Sequence, residues 1–277
     1  VTENGVTRAI ITDFWAMVFN PSTLDRLTHT VSAAWLTGAF LVMSISAWYI
    51  LKKRHIEFAK SSFKIALFLA IFASLFQLFT GHNSAIGVTK YQPAKLAAFE
   101  GHFNTAPADL YLFGWVNEEE QKVHGLAIPG FLSYMVHFDA SKPVTGLNDI
   151  PQDEWPPLQA TFQTYHLMIA IGMLFIGLTL ISLFLLIRKK LFDTKWLMMI
   201  FVPAFILPHI ANIMGWCAAE IGRQPWAVQG ILRTSDAISK VVTAEQVWFS
   251  LILFSLIYII LLVLFVFLLL KKIKHGP

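Results

Sequence analysis

The sequence predicts an all-α integral membrane protein, with five transmembrane helices plus an outer interfacial amphipathic helix. Three observations lead there. Of the 277 residues 56% are apolar and only 14% charged, and the mean hydropathy is +0.61; a soluble domain carries about 25% charged residues. The apolar residues fall into five stretches, each close to the roughly 20 residues a helix needs to cross hydrocarbon about 30 Å thick. The basic residues gather in alternate connections between those stretches.

Ahead of the first span, residues 7–20 carry Ile10, Ile11, Phe14, Trp15, Met17 and Val18 in the pattern of a short amphipathic helix on the membrane interface. Asn20-Pro21 ends it, and Ser22 or Thr23 stands where the next helix needs a cap. The spans are expected near residues 27–51, 63–80, 165–187, 196–219 and 247–270. The second is the shortest, and Lys64 at its end snorkels toward the headgroups. The chain then divides into an outer segment 1–26, helices one and two over 27–80, a long loop 81–160, and helices three to five over 161–277 with a second loop at 217–246. It contains no internal repeat and no low-complexity tract.

Charge sets the orientation. Lys52, Lys53, Arg54, Lys60 and Lys64 fill the first connection, Arg188, Lys189, Lys190 and Lys195 the third, and Lys271, Lys272 and Lys274 the tail. Together they hold more than half of the 21 basic residues, with only Glu57 and Asp193 as acids among them. The loop 81–160 instead carries Glu118, Glu119 and Glu120 in a row. The positive-inside rule makes the basic segments cytoplasmic and puts the N-terminus and both long loops outside. The formal net charge of +4 is therefore a topology signal and implies no nucleic-acid partner. The single cysteine, Cys217, excludes an intrachain disulfide and leaves the redox compartment unread.

Polar residues inside spans are costly, so each needs a reason. His29 lies at the outer end of the first span above a small-residue face of Ala33, Ala34, Thr37 and Gly38. It reads either as a hydrogen-bonded histidine at a helix seam or as a heme ligand. Met168 lies at the outer end of the third span, with Gly172 a turn below. It is either plain packing or half of a His/Met pair, a low-spin heme ligation that raises the potential. Leaving the fourth span, Gly215-Trp216-Cys217-Ala218-Ala219-Glu220-Ile221-Gly222-Arg223-Gln224-Pro225-Trp226 puts Trp216, Glu220 and Arg223 on one helix face. This is either an ion pair at a helix end under an interfacial tryptophan, or a carboxylate for a metal or proton with an arginine for an anion. His82, His102, His124 and His137 have no regular metal-ligand spacing, and no phosphate loop or nucleophile elbow appears.

The run GWCAAEIGRQPW resembles the glutamate signature of subunit I of the cytochrome bd quinol oxidases. LDRLTHTVSAAWLTGAFLVMSISAWY is similar to that family's low-spin histidine segment, YHLM to its methionine segment, and QPAKLAAFEG to the start of its quinol loop. The four motifs fall in the family's order over nearly the whole chain. The resemblance implies that His29 and Met168 are the axial ligands of a low-spin heme b. It implies that Glu220 ligates one heme of an oxygen-reducing pair, a high-spin heme b and a heme d (or a second high-spin heme b), shared with a partner chain. Trp216 would lie near the hemes, Arg223 would pair with heme propionates, and Lys95 and Glu100 match loop residues associated with quinol. The loops 81–160 and 217–246 become the quinol loop and the heme-binding loop.

The implied activity is a quinol oxidase of the bacterial cytoplasmic (inner) membrane, electrogenic without pumping. Quinol is oxidised at the outer face, electrons pass through the low-spin heme to the high-spin pair, and oxygen is reduced to water with cytoplasmic protons. Two departures stand out. The family arginine two residues before the methionine is His166 here. The family's subunit has nine spans, and the first four have no counterpart, so this chain looks like the second half of subunit I. Val1, not Met, opens the sequence, and a segment removed from upstream or encoded elsewhere is expected. The implied partners are a separate polypeptide with the four remaining helices, subunit II, a small single-span subunit, quinol and the lipid bilayer. Two other readings stay open: a heme b electron-transfer subunit without its own oxygen site, and a hemeless membrane scaffold or transporter.

Overall fold

The protein is described by a computed structural model covering residues 10–239 and 241–277, together with the backbone of residues 2–3 and 6–7. Its helices are α1 (Phe14–Val18), α2 (Thr23–Leu51), α3 (Ile56–Tyr91), α4 (Pro93–Glu100), α5 (Phe131–His137), α6 (Leu158–Ile187), α7 (Lys195–Ala204), α8 (Ile206–Ile221) and α9 (Ala244–His275). Four of them, α2, α3, α6 and α9, are long and apolar enough to cross a membrane, and α7 with α8 makes a fifth span bent by 45°. The expected fourth span is thus present as a broken one. Pro208 explains the break: it has no N–H for the Ala204 carbonyl one turn back, and its ring crowds that carbonyl.

The bundle core is aromatic rings set among small residues. Phe40 of α2 lies 4.5 Å from Phe175 of α6 and 6.1 Å from Phe201 of α7, centroid to centroid, and Phe63 of α3 meets Phe201 edge-on at 5.1 Å. Buried Ala39, Ala47, Ala59, Ala66, Ala70 and Ala73 let α2 and α3 run close together. Lipid tails are as apolar as leucine, so this close packing is what holds the helices together, rather than escape from water. Beside the bend, the Val202 carbonyl accepts the hydroxyl of buried Ser44.

At one end of the bundle, residues 81–160 form a small folded layer. It corrects the expected loop boundaries, because α3 continues to Tyr91 and α6 starts at Leu158. Between them lie α4, an antiparallel hairpin of Leu110–Asn117 with Lys122–Ile128, and α5. Ala97, Phe103, Val116, Leu147 and Phe162 form its core, closed by Trp155, whose indole N–H reaches the Leu147 carbonyl at 3.0 Å. Sequence periodicity missed the continuation of α3 because Gly81, His82, Asn83 and Ser84 look like a loop. Packing against the layer holds them helical.

The expected interfacial helix is also shortened. Among the described residues of that segment only Phe14–Val18 is helical, started by Asp13, whose carboxylate accepts the Ala16 N–H. Thr7 belongs to a two-residue strand instead, while Arg8 and Ala9, like Val1, lie outside the described residues. Neither Ser22 nor Thr23 caps α2 with its side chain: the Ser22 hydroxyl and N–H both donate to Asn20. At the opposite, basic end, α9 meets the α2–α3 turn through its own C-terminus. The Tyr49 hydroxyl donates to the Ile273 carbonyl at 2.7 Å and Arg54 to that of Lys274 at 3.0 Å. Along its apolar length α9 is exposed on every side.

Candidate functional site

The residues singled out above lie at the layered end of the bundle, on four helices. His29 sits in the second turn of α2, and its Nδ1 is 3.0 Å from the hydroxyl of Thr80 on α3. Ser32, one turn on from His29, donates to the side-chain oxygen of Gln77 at 3.1 Å, and Gln77 in turn lies 3.3 Å from Thr80. His29 thus makes a hydrogen bond across a helix seam, which suits both of its expected readings. The bond uses only Nδ1. No hydrogen bond reaches Nε2 among the described residues.

Met168, on α6, points at α8. A Cβ built on Gly215 would come within 2.6 Å of its sulfur, closer than real Cβ contacts come. The glycine that opens the GWCAAE run thus makes room for the thioether. Farther into the bundle, space beside Gly38 on α2 and Gly172 on α6 is open, with nothing within 4 Å of a Cβ built at either.

At the end of α8, Glu220 and Arg223 form an ion pair at 2.9 Å, with their side chains 41% and 42% exposed. Trp216 is 67% exposed on the same helix. Lys95 reaches this group from α4: its ammonium donates to the Ala219 carbonyl at 2.9 Å, satisfying an orphan acceptor in the last turn, where a cation also suits the helix dipole. A polar cavity of about 170 Å³ lies between Arg26, Lys95, Glu220 and Arg223. Burial, together with Arg26 and Arg223 and opposed by Glu220, brings the Lys95 ammonium down to about 8.

Glu100 is only five residues from Lys95, yet it faces elsewhere. Pro93 begins α4 where its missing N–H costs nothing, and Gly101 ends it at φ +60°, a left-handed conformation that suits glycine. The single helical stretch between them turns Lys95 toward α8 and Glu100 toward α6. Glu100 is 1% exposed, and neither carboxyl oxygen has a hydrogen-bond partner among the described residues. Burial pushes its carboxyl up to about 8. One oxygen lies 3.9 Å from Nε2 of His166, whose two ring nitrogens face the carbonyls of Phe162 and Tyr111, each at 2.9 Å. Glu100 also lines a small cavity of about 20 Å³ with His82, Leu96, Leu132 and Tyr165. The two residues grouped by the QPAKLAAFEG motif are thus separated into different cavities.

The donor chemistry of these residues suits a heme. An imidazole with an open Nε2 and a thioether are the donor pair of a low-spin heme iron, and the cations around the polar cavity suit its carboxylates. Gln77, Ser32 and the role of Thr80 went unnoticed in the sequence, as did the role of Gly215 at the head of its motif. The first three are polar residues inside spans, the signal that singled out His29; Gly215 carries no signal without its contact to Met168.

The fold and this end of the bundle define a multi-span membrane protein with a histidine, a methionine and a carboxylate gathered beneath a folded loop. The family model for cytochrome bd terminal oxidase subunit I matches residues 1–277, and the chain belongs to that family. It is 35% identical to cytochrome bd ubiquinol oxidase subunit 1 of Bacillus subtilis (strain 168), over 99% of this chain and 61% of that protein. It is 29% identical to cytochrome bd-II ubiquinol oxidase subunit 1 of Escherichia coli (strain K12), over 98% of this chain and 66% of that one. A solved bd oxidase from Geobacillus thermodenitrificans superposes with a TM-score of 0.86 at 32% identity, covering 96% of this chain and 61% of the other. The chain thus spans about three fifths of the length of the relatives it matches. Its apolar helices and bacterial relatives make it a multi-pass protein of a bacterial inner membrane.

Proposed function

We propose that this chain is the heme-binding part of subunit I of a quinol:oxygen oxidoreductase. The observation that carries the reading is His29: its ring is held through Nδ1 alone, and its Nε2 is left open at the end of the bundle where Met168 also lies. His29 and Met168 would hold a low-spin heme b. Glu220 would ligate one of a high-spin pair, heme b with heme d or a second heme b, whose other contacts come from outside these 277 residues. When bound, the hemes carry electrons from quinol to oxygen.

The protein's own part is to position and to move protons. Glu100, buried and unpartnered, accepts a proton from a quinol hydroxyl at its carboxyl oxygen. Arg26, Lys95 and Arg223 would neutralise the heme carboxylates, and Trp216 would lie near the hemes. The layered end is the outer face, with the N-terminus outside, the C-terminus cytoplasmic, and quinol protons released outside. The acidic 81–160 stretch and the basic opposite end support this orientation. The working assembly includes the remainder of the family's subunit I, on this or a separate polypeptide, with subunit II and a small single-span subunit. The fully exposed apolar length of α9 leaves room for such neighbours as well as lipid.

Oxygen consumption by the purified complex with a short-chain quinol tests the reading. Glu220→Gln should abolish it together with the high-spin signal while sparing the low-spin one. Undiminished oxygen reduction with an intact high-spin signal would favour instead an electron-transfer subunit without an oxygen site. The existing Glu220–Arg223 pair gives that second reading its support.

A further inference from the structure

We propose that Thr80, backed by Gln77 and Ser32, is a positioning residue that fixes the tautomer and orientation of His29 and thereby lowers the reduction potential of the heme that His29 would hold. The inference rests on the reading of His29 as a ligand.

The contacts join two helices. The pair His29 and Ser32 on α2 and the pair Gln77 and Thr80 on α3 are each spaced i,i+3, so each pair lies on one helix face. The two faces meet in two cross-helix contacts, His29 to Thr80 at 3.0 Å and Ser32 to Gln77 at 3.1 Å. Thr80 is 3% exposed and Ser32 fully buried, so the contacts are shielded from water. The single hydroxyl proton of Thr80 has acceptors on Gln77, the backbone carbonyl and the side-chain oxygen, both at 3.3 Å. Nδ1 lies nearer still, at 3.0 Å, so the distances admit either direction; a His29 that ligates through Nε2 keeps its proton on Nδ1 and donates it to the Thr80 oxygen. A neutral imidazole protonated at Nδ1 has its free lone pair on Nε2.

A polar bridge between two membrane helices could exist for packing alone. Packing, however, needs no open ring nitrogen, and this arrangement leaves Nε2 open. A hydrogen bond from the non-ligating nitrogen raises the basicity of the ligating one and fixes the ring plane. The more basic ligand favours the oxidised iron, which lowers the potential.

Potentiometric titration of the low-spin signal in the purified complex tests this, using Thr80→Val and Thr80→Ser. Thr80→Val should keep a six-coordinate signal whose midpoint moves to higher potential, while Thr80→Ser stays at the wild-type value. Gln77→Leu should shift it in the same direction by less. Loss of the low-spin heme in Thr80→Val with retention in Thr80→Ser would also support the proposal. An unchanged midpoint in Thr80→Val, or loss of the heme in both variants, would overturn it. His29→Ala separates the two levels: survival of the low-spin signal there sinks the ligand reading itself. Loss there, with an unchanged midpoint in Thr80→Val, sinks only the role of Thr80.

Discussion

Around His29 the chain provides its own support. Thr80 and Gln77 support the ring from a second helix, Ser32 braces Gln77 from the first, and two of these three side chains are shielded from water. Around Glu220 the chain provides Arg223, Arg26 across the cavity and a reaching lysine, and the Glu220–Arg223 pair stays about two-fifths exposed beside that polar cavity. Each residue came from a polar position at the end of a span, so the sequence gives them equal weight. The structure does not. A side chain fixed by buried neighbours in its own chain is preorganised, whereas a half-exposed ion pair is held loosely and has room for a second surface. On our reading, the low-spin site is complete within this chain and the oxygen-reducing site is completed by neighbours.

That contrast can be broken in several places. The largest effect is expected from Met168→Leu, which removes the thioether and should abolish the six-coordinate low-spin signal while leaving the high-spin heme held by Glu220; optical and magnetic spectra of the complex would show it. Loss of both signals would mean that the two sites are not built independently.

Next comes Glu100→Gln, which should cut quinol oxidation by about 100-fold or more, the usual weight of a general base. The pH dependence goes with it. Burial holds the Glu100 carboxyl protonated up to about 8, so its ability to accept a proton grows as the pH rises through that value. The wild-type rate should climb between about pH 7 and 9, and the glutamine variant should be flat. The stability effect has the opposite sign. A raised carboxyl pKa stabilises the fold at low pH, and that contribution fades as the pH rises from the ordinary carboxylate range through about 8. A thermal melt of the complex against pH reads it.

A smaller effect is expected from Gly215→Ala. The added methyl lands 2.6 Å from the Met168 sulfur, and that flexible side chain has to move aside. A mixture of six-coordinate low-spin heme and a five-coordinate high-spin fraction should result, visible in the reduced spectrum. An unaltered spectrum would mean that the thioether is free to repack and that Gly215 does not position it.

The least effect is expected from Arg233→Ala, which breaks a pair with Asp153 that links the two long loops at 2.6 Å. Exposed ion pairs contribute little because water and salt screen them. Neither melting temperature nor spectra should change measurably.

Most of the bundle was legible because apolar length and basic clustering report directly on a bilayer. What failed to show were features decided by packing. The bend at Pro208 was missed because the apolar run continues through it, and the extension of α3 beyond Thr80 because polar residues there hide a helix held by the folded layer. His29, Met168 and Glu220 were legible as costly polar or motif residues. The separation of Lys95 from Glu100 was not, since a turn of helix sends neighbours in sequence to different cavities. Nor was the Thr80 contact, which joins residues 51 positions apart.

The central claim is that His29 ligates a heme within this chain, and one measurement meets it directly. A reduced-minus-oxidised spectrum of the purified complex carrying His29→Ala should lack the low-spin heme b signal and keep the high-spin signals. A low-spin signal of wild-type intensity in that variant would contradict the account.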